Sequence, residues 1–315
     1  MRIAQQQLIQ LESIDQSHNW SLCPLTNSGQ LDRLHRSIKQ TGIVQPPILQ
    51  QISKKRFRLI NGRKRVQIAR QNNLNPLHCH ILDKNLPIQQ ILAIHLTEQQ
   101  LSGALTTIEQ AYFLQLCLQF TEKENVINTF LPLLGYSSQP IVINRLLAFL
   151  RLEDKVQLLF HEQFIGKKTA TILLELDQSD RIFLTDLFVE LKLGQGKQQR
   201  LLTLCQDLSR RHNSSIKTIL SDRQVKKNLQ HQGMNTPQKT NQLLELLKKQ
   251  HSPKYYEAKE DFQHQRNQFD LPDHCSLNHS PAFEKDEVIL SIKFSNLDEC
   301  KKTWQTIHKP LKEKN

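Results

Sequence analysis

The sequence predicts an α+β fold: a small mixed α/β domain first, an all-helical domain next, and a small α+β domain at the carboxy terminus. Three observations predict it. Short strand-like and helical stretches alternate over residues 1–90, and apolar residues at helical spacing dominate residues 91–220. Near the end, the alternating stretch "EVILSIKF" is followed by the helical pattern "NLDECKKTWQTIHK". The predicted domains are residues 1–95, 96–220 and 236–315, and residues 221–235 are predicted to form a polar, basic linker.

In the first domain, "QLDRLHRSIKQTG" has Leu31, Leu34 and Ile38 at helical spacing, and Gly42 follows as a helix stop. The stretches "QPPILQQ" and "RFRLI" predict two strands joined by a polar turn at residues 53–55. "VQIARQNNL" then predicts a helix, and "LHCHIL" predicts another strand.

The composition favours a polyanionic partner. The 315 residues include 42 Lys and Arg against 30 Asp and Glu, a formal net charge of +12. Such a balance is typical of proteins that bind nucleic acid and, less often, of proteins that bind an anionic membrane surface. The amino-terminal residues have no signal-peptide pattern, and no apolar run approaches the ~18 residues of a membrane span, so we expect a cytoplasmic protein without a membrane partner.

Cysteine and histidine spacing predicts no metal site. The six cysteines are scattered and none forms a CxxC pair, which argues against a disulfide framework and a structural zinc site. His78 and His80 fall on one face of a predicted strand, but no third ligand has suitable spacing.

A dense basic stretch follows the second predicted strand of this region. Residues 54–70 carry eight Lys and Arg and no acidic residue. Gly62 allows close approach of a ligand to the backbone, and the helix after it directs unpaired N–H groups to the same point. Arg63 and Arg65 can add bidentate contacts to phosphate oxygens. The stretch matches neither GxxxxGK[ST] nor GxGxxG, so a solvated charged surface remains the alternative.

The middle domain contains the pattern of a helix-turn-helix. The first helix would carry Val126, Ile127, Phe130 and Leu134, with Gly135 in the turn. The second helix is predicted to begin near Ser137 or Ser138. The residues predicted to contact DNA are Ser137, Ser138, Gln139, Asn144 and Arg145. An ordinary αα-hairpin is the alternative.

The tail domain begins with a clear helix signal, with Thr236 as the predicted N-cap and Pro237 at the first helical position. Its strand "EVILSIKF" and Trp304 suggest a dimerisation segment.

Taken in order, the motifs "SIKQTGIVQPPIL", "RLINGRKRVQIA", "TTIEQA" and the helix-turn-helix resemble the ParB partition-protein family over about residues 8–175. The resemblance implies a first domain that binds CTP and acts as a clamp sliding on DNA, and a helix-turn-helix that loads it at a centromere-like site. It implies base and ribose contacts from Gly42, Gln45 and Pro46, and phosphate contacts from Gly62, Arg63 and Arg65.

The sequence departs from the family pattern at several of these positions. Arg63 stands where relatives have Glu. In the third motif Glu98 takes the acidic position, Gln99 replaces a metal-binding Asn, and Ser102 replaces an Arg. The resemblance still implies binding of CTP with magnesium as its cofactor, and these departures imply at most weak CTP hydrolysis. In "FIGKKTATILLEL", Lys167 and Lys168 can hold DNA phosphates.

The sequence therefore predicts a ParB-like, site-specific DNA-binding protein of plasmid or chromosome partition, associated with the nucleoid. It is expected to bind double-stranded DNA as a homodimer, with a partition ATPase as a further partner. Two alternatives remain: a ParB-like transcriptional regulator without a partition role, and a nucleotide-dependent kinase or nuclease on the same scaffold.

Overall fold

A five-stranded mixed sheet forms the centre of the amino-terminal region in the computed structural model. The structure describes residues 4–15, 20–22, 28–269, 271–280, 283, 285 and 287–312. Two compact units comprise residues 1–202 and 203–315. The finer division into domains ending at residues 95 and 220 stays a prediction.

The sheet has the strand order β1-β5-β3-β4-β2. Its strands are β1 (Ala4–Ile9), β2 (Ile14–Asp15), β3 (Ile48–Ser53), β4 (Arg56–Asn61) and β5 (Leu77–Leu82). β3 pairs antiparallel with β4 and parallel with β5, so the predicted hairpin around residues 53–55 is present. The carboxyl end of β4 leads directly into a helix, which positions the basic stretch at one edge of this domain.

The helices of the first unit follow the predicted pattern closely. They are α1 (Ser28–Thr41), α2 (Arg63–Gln71), α3 (Ile88–Leu101), α4 (Thr107–Leu118), α5 (Lys123–Asn125), a π-helix (Val126–Phe130), α6 (Leu131–Leu133), α7 (Pro140–Ala148), α8 (Asp154–His161), α9 (Lys167–Leu174) and α10 (Gln178–Glu190). α11 (Gln195–His212) contains the boundary between the two units. Gly42 ends α1 with φ +72°, as the helix-stop signal predicts.

Two apolar cores hold the first unit together. One lies on a single face of the sheet and includes Leu49, Val66 and Cys79. The other joins the opposite face of the sheet to α3, α4, the π-helix and α7, and it includes Phe113 and Phe130 with their rings 5.5 Å apart. This second core packs the π-helix and α7 against the sheet, because residues of all three contribute to it.

The second unit contains α12 (Ile216–Leu220), α13 (Arg223–Leu229), α14 (Thr236–His251), α15 (Pro253–Asn267) and α16 (Leu297–Lys312). Strands β6 (Cys275–His279) and β7 (Val288–Ile292) form an antiparallel pair. The predicted strand in "EVILSIKF" and the helix after it are therefore present, and the α+β class is confirmed.

Within the predicted linker at residues 221–235, residues 223–229 form α13, whose Val225 and Asn228 are buried. The linker assignment itself stays a prediction. Two local predictions are wrong. The N-cap of α14 is Asn235, one residue before the predicted Thr236. The Asn235 side chain accepts the Gln238 N–H at 3.0 Å and Gln238 Oε1 accepts the Asn235 N–H at 3.0 Å, a reciprocal capping box.

The second wrong prediction concerns the predicted helix-turn-helix. Its second helix begins at Pro140 and not at Ser137 or Ser138. Gln139, in extended conformation, is the N-cap, and Pro140 occupies the first turn, where its missing N–H costs nothing.

Within the described part of the chain, none of the helices combines the length and apolar character that crossing a bilayer requires. The cysteines described there (Cys79, Cys117, Cys205, Cys275 and Cys300) carry free thiols, and Cys23 lies outside the described residues.

Candidate nucleotide and DNA sites

The junction between β4 and α2 has the backbone geometry of an anion site. Gly62 adopts φ +98° and is the N-cap of α2, with no side-chain cap on the helix. A Cβ at this position would lie 3.0 Å from both Cα and Cβ of Pro47. The first turn that follows contains Arg63, Lys64 and Arg65 and no acidic residue. The unpaired N–H groups and the positive end of the helix dipole therefore coincide with three cationic side chains.

A cavity of about 250 Å³ opens at this junction. Its lining comes from β4, the start of α2, α1, α3 and α4, together with the described residues 20–22. The lining residues are Trp20, Ser21, Leu22, Leu34, Leu59, Ile60, Asn61, Gly62, Arg63, Lys64, Arg65, Gln99 and Glu109. Its walls thus combine an apolar side with a cluster of hydrogen-bond donors, which is the usual composition of a small-molecule site.

Arg65 links the cavity to the loop that precedes β3. Its guanidinium donates to the backbone oxygens of Gln45, at 2.5 Å, and Pro46, at 3.4 Å. Burial lowers the pKa of Arg65, and the negative charge of Glu98 partly opposes this shift. Arginine side chains keep their charge in proteins, so Arg65 is a cation at neutral pH. The side chain therefore holds the Gln45–Pro46 backbone in position as well as contributing positive charge.

Gln99 and Glu109 bring two further helices to the cavity. Gln99 Nε2 donates to Oδ1 of Asn61 at 3.1 Å. Glu109 Oε2 accepts the backbone N–H of Thr106 at 2.8 Å and the Thr106 hydroxyl at 3.0 Å, which forms the capping box of α4. Among the described residues that line the cavity, the single carboxylate, Glu109, therefore caps a helix.

The predicted nucleotide-binding residues fall into three groups. Gly62, Arg63, Arg65 and Gln99 line the cavity. Gln45 and Pro46 connect to it through Arg65. Gly42 and Glu98 do not line it, although Glu98 is close enough to affect the pKa of Arg65. Their roles remain predictions.

Sequence reasoning did not assign Asn61, Lys64, Trp20 or Glu109 to the site. Asn61 precedes Gly62 and Lys64 lies between Arg63 and Arg65, so both could have been predicted from their neighbours in the sequence. Trp20 lies far from the motifs in sequence, and only tertiary packing brings it to the cavity. It is 4% exposed and packs its ring against His95 and Phe120, with ring centroids 5.6 and 5.4 Å apart.

The segment predicted to form a helix-turn-helix has a turn at Gly135. Gly135 adopts φ +83°, and the π-helix and α6 precede it. Ser137, Ser138 and Gln139 are exposed in the turn before α7, and Asn144 and Arg145 are exposed on α7 itself. Asn144 Oδ1 accepts a hydrogen bond from Lys123 Nζ at 3.2 Å.

Two of the predicted DNA-binding residues meet in one cleft. Arg145 of α7 and Lys167 at the start of α9 both line a cleft of about 530 Å³, whose other walls include Val142, Leu146 and Thr171. Lys168 is exposed beside Lys167. The structure thus brings together cations from "YSSQPIVINRLL" and "FIGKKTATILL", two stretches that are separate in sequence.

Metal-binding groups are sparse in this structure. Among the described residues, no group of three or more His, Cys, Asp or Glu side chains is arranged to hold a metal ion. Magnesium prefers carboxylate oxygens and phosphate oxygens. Around the cavity it would find the amide oxygens of Asn61 and Gln99 and the engaged Glu109, so bound phosphates would have to supply most of its ligands.

Comparison with known proteins identifies the first region. Residues 2–100 match the sequence model of the ParB N-terminal domain family. This match supports, over residues 2–100, the family resemblance predicted from the motifs. A search of curated protein sequences gave no significant match.

Three solved structures are similar to the chain. A truncated chromosome-partitioning protein ParB from Caulobacter crescentus, complexed with CTP-γ-S, is 17% identical, with 59% of this chain and 99% of that chain covered and a TM-score of 0.25. The same protein complexed with the centromeric parS site is 16% identical over 62% and 98% of the two chains, with a TM-score of 0.34. A Pnob8-like ParB-N domain is 13% identical over 78% and 97%, with a TM-score of 0.34. At such low identities and TM-scores these likenesses transfer no ligand and no residue role.

Proposed function

We propose that this chain is a ParB-like DNA-binding protein of plasmid or chromosome partition, whose first domain binds CTP and whose helix-turn-helix binds double-stranded DNA. The observation that carries the proposal is the cavity at the start of α2. There a left-handed glycine, an uncapped helix N-terminus and three consecutive cations converge within a ParB N-terminal domain.

In this account, each part of the cavity has a distinct role. The backbone around Gly62 and the side chains of Arg63 and Lys64 bind the triphosphate. Arg65 holds the Gln45–Pro46 loop, which then contacts the base and ribose with Gly42. Gln99 fixes Asn61 beside the phosphates.

We further propose that hydrolysis of CTP is weak. Among the residues that line the cavity, Glu109 is the one candidate general base, and its Oε2 is occupied by Thr106. Magnesium, when it is bound, would shield phosphate charge and would rely on phosphate oxygens for most of its coordination. The dense positive charge of Arg63, Lys64 and Arg65 can shield the same charge without a metal.

The DNA interface is proposed to include the exposed residues before and on α7 together with the start of α9. Ser138, Gln139, Asn144 and Arg145 would reach base edges or phosphates, and Ser137 would contact the backbone. Lys167 and Lys168 would hold phosphates and contribute affinity without sequence preference. The chain is proposed to act as a homodimer at the nucleoid, with a partition ATPase as a partner.

The test is selection of DNA from a random duplex library by the full-length protein, followed by titration of the selected duplex with and without CTP. The proposal predicts that one palindromic site is enriched, and that CTP changes the lifetime of the complex. If a site is enriched but CTP does not change the lifetime of the complex, the result would favour a DNA-binding protein without nucleotide control, such as a transcriptional regulator. Rapid release of CDP or cleavage of the duplex would instead favour an enzyme.

A further inference from the structure

The helical part of the second unit carries a concentrated positive charge that the proposed function does not use. Residues 208–254 include ten Lys and Arg but only two acidic residues, Asp222 and Glu245. The basic residues are Arg210, Arg211, Lys217, Arg223, Lys226, Lys227, Lys239, Lys248, Lys249 and Lys254. The two carboxylates have local partners: Asp222 Oδ1 caps α13 at the Gln224 N–H, and Glu245 binds Lys248 and the Tyr256 hydroxyl.

Three of these cations form one exposed face of α13. Arg223, Lys226 and Lys227 stand at positions i, i+3 and i+4, which places them side by side on the helix. All three are exposed, whereas Val225 and Asn228 on the other side are buried against α14. Within the described part of the chain, none of the three makes an ion pair. This face therefore keeps its full positive charge.

A cleft beside this face extends the surface. It has a volume of about 470 Å³ and is lined by Gln224, Lys227, Asn228, His231, Met234, Gln242, Leu246 and Lys249. His231 Nδ1 accepts the Gly233 N–H at 3.1 Å, so the neutral ring carries its proton on Nε2 and can donate it. Lys249 pairs with Glu260, but both side chains are more than half exposed, and such a pair is weak enough to exchange partners.

One buried polar atom also lies beside the cleft. Asn228 is 4% exposed, and its Nδ2 donates to the Lys239 backbone oxygen at 2.9 Å. Its Oδ1 has no hydrogen-bond partner, although buried oxygens normally have one. That oxygen is an acceptor and adds nothing to phosphate binding, so the donors of the cleft are the ammonium groups of Lys227 and Lys249, the His231 imidazole and the amide groups of Gln224 and Gln242.

We propose that the exposed face of α13 and this adjoining cleft, together called the α13–α14 surface, bind the phosphate backbone of double-stranded DNA without reading its sequence. Charge complementarity selects a polyanion, and the amide and imidazole donors suit phosphate and sugar oxygens. The exposed face of α13 presents Arg223, Gln224, Lys226 and Lys227 and no apolar side chain that could insert into a bilayer. Nucleic acid is accordingly favoured over an anionic membrane.

A DNA contact of this kind has a measurable electrostatic signature. Each phosphate that a protein neutralises contributes about 0.9 to the slope of log K against log salt concentration. Three cations on α13 should therefore account for a slope of about 2 to 3, whatever the sequence of the duplex.

The test compares two triple variants of the full-length chain that lose the same charge. One is Arg223→Gln/Lys226→Gln/Lys227→Gln. The control is Lys54→Gln/Lys55→Gln/Arg56→Gln, which removes three exposed cations at the turn between β3 and β4. Binding to a duplex of random sequence is followed by fluorescence anisotropy over a range of salt concentrations. We expect the α13 triple to lose about 2 to 3 units of slope and at least ~10-fold in affinity, and the control to stay within about 2-fold of wild type.

Equal losses in both triples, or no loss in either, would overturn the proposal. Binding of the wild type to phosphatidylserine vesicles but not to the duplex would overturn it as well. A charge-retaining variant, Arg223→Lys/Lys226→Arg/Lys227→Arg, must bind like wild type. Because this variant keeps all three charges, it distinguishes the effect of lost charge from the effect of a damaged fold. Weaker DNA binding by this variant would count against the proposal.

A variant of the helix-turn-helix separates this inference from the proposed function. Arg145→Ala/Lys167→Ala is expected to weaken binding to a selected site while the slope contributed by the α13–α14 surface remains. If no specific site exists, the random-duplex measurement still tests the α13–α14 surface by itself.

Discussion

Gln99 Nε2 donates a 3.1 Å hydrogen bond to Oδ1 of Asn61, and this contact joins α3 to the last residue of β4. Asn61 is followed at once by Gly62 and the cationic first turn of α2. The motif "RLINGRKRVQIA", which contains Asn61, and the third motif, which contains Gln99, therefore meet at the cavity through this hydrogen bond.

This pair can be measured by a double-mutant cycle of Asn61→Ala and Gln99→Ala. A net contribution of about 0.5–1.5 kcal/mol is typical of such a hydrogen bond, and we expect a coupling free energy of that size for unfolding. Urea denaturation of the wild type, both single variants and the double variant gives the value. Additive effects of the two substitutions would contradict the contact.

Gly62→Ala is expected to destabilise the protein more than Gly42→Ala. Both glycines have positive φ, so each substitution carries the backbone strain of a left-handed residue, about 1–2 kcal/mol. Only at Gly62 would the new Cβ also meet backbone and side-chain atoms of Pro47 at 3.0 Å, whereas nothing lies within 4 Å at Gly42. Denaturant unfolding of the two variants should therefore differ, and equal losses would argue against the close approach of Pro47.

The two cations of the cleft between α7 and α9 should affect DNA binding in different ways. Lys167→Ala is expected to weaken binding to all sequences alike and to reduce the salt slope by about 1. Arg145→Ala is expected also to reduce the preference for the selected site over random duplex, by about 1–3 kcal/mol if it contacts a base. Lys54→Ala, an exposed cation in the turn between β3 and β4, serves as the control. An unchanged site preference in Arg145→Ala would limit Arg145 to phosphate contact.

His95 should make the stability of the protein depend on pH. Burial lowers the pKa of His95 to about 4, against a usual value near 6.5. The unfolded chain thus binds the proton more readily, so stability is complete above pH ~6.5 and falls as the pH drops toward 4. The loss amounts to about 3 kcal/mol across this interval.

His95→Leu removes this titration and fills the same buried space beside Trp20 and Phe113. The variant should therefore lose less stability than the wild type between pH 6.5 and pH 4, as measured by urea unfolding at each pH. Parallel pH profiles for the two proteins would show that His95 does not titrate in this range.

Local sequence signals predicted much of this fold correctly. The glycines at positions 42 and 135 marked real helix ends because each adopts the positive φ that favours glycine. The basic stretch after Asn61 was located correctly, since a strand, a glycine and a helix follow one another within a few residues. Such features depend only on neighbouring residues.

The predictions that failed depended on tertiary packing or on fine capping geometry. Sequence reasoning did not predict the helix α13 within the linker, because Arg223, Lys226 and Lys227 dominate this stretch and Val225 is its single fully buried apolar side chain among the described residues. The N-cap of α14 is Asn235 and not the predicted Thr236, because Asn235 forms a reciprocal capping box with Gln238. Trp20 could not be assigned to the cavity because nothing in its sequence neighbourhood indicates contact with α2.

The central claim is that the cavity at the start of α2 binds the triphosphate of CTP, and calorimetric titration of CTP tests it most directly. The test variant is Arg63→Ala/Lys64→Ala, and the control is Lys54→Ala/Lys55→Ala, which removes two exposed cations from the same domain. Charge-assisted hydrogen bonds contribute about 1.5–3 kcal/mol each, so we predict at least a ~10-fold loss of affinity in the test variant and none in the control. A wild-type protein that binds no CTP, or a test variant that binds as tightly as the control, would contradict the account.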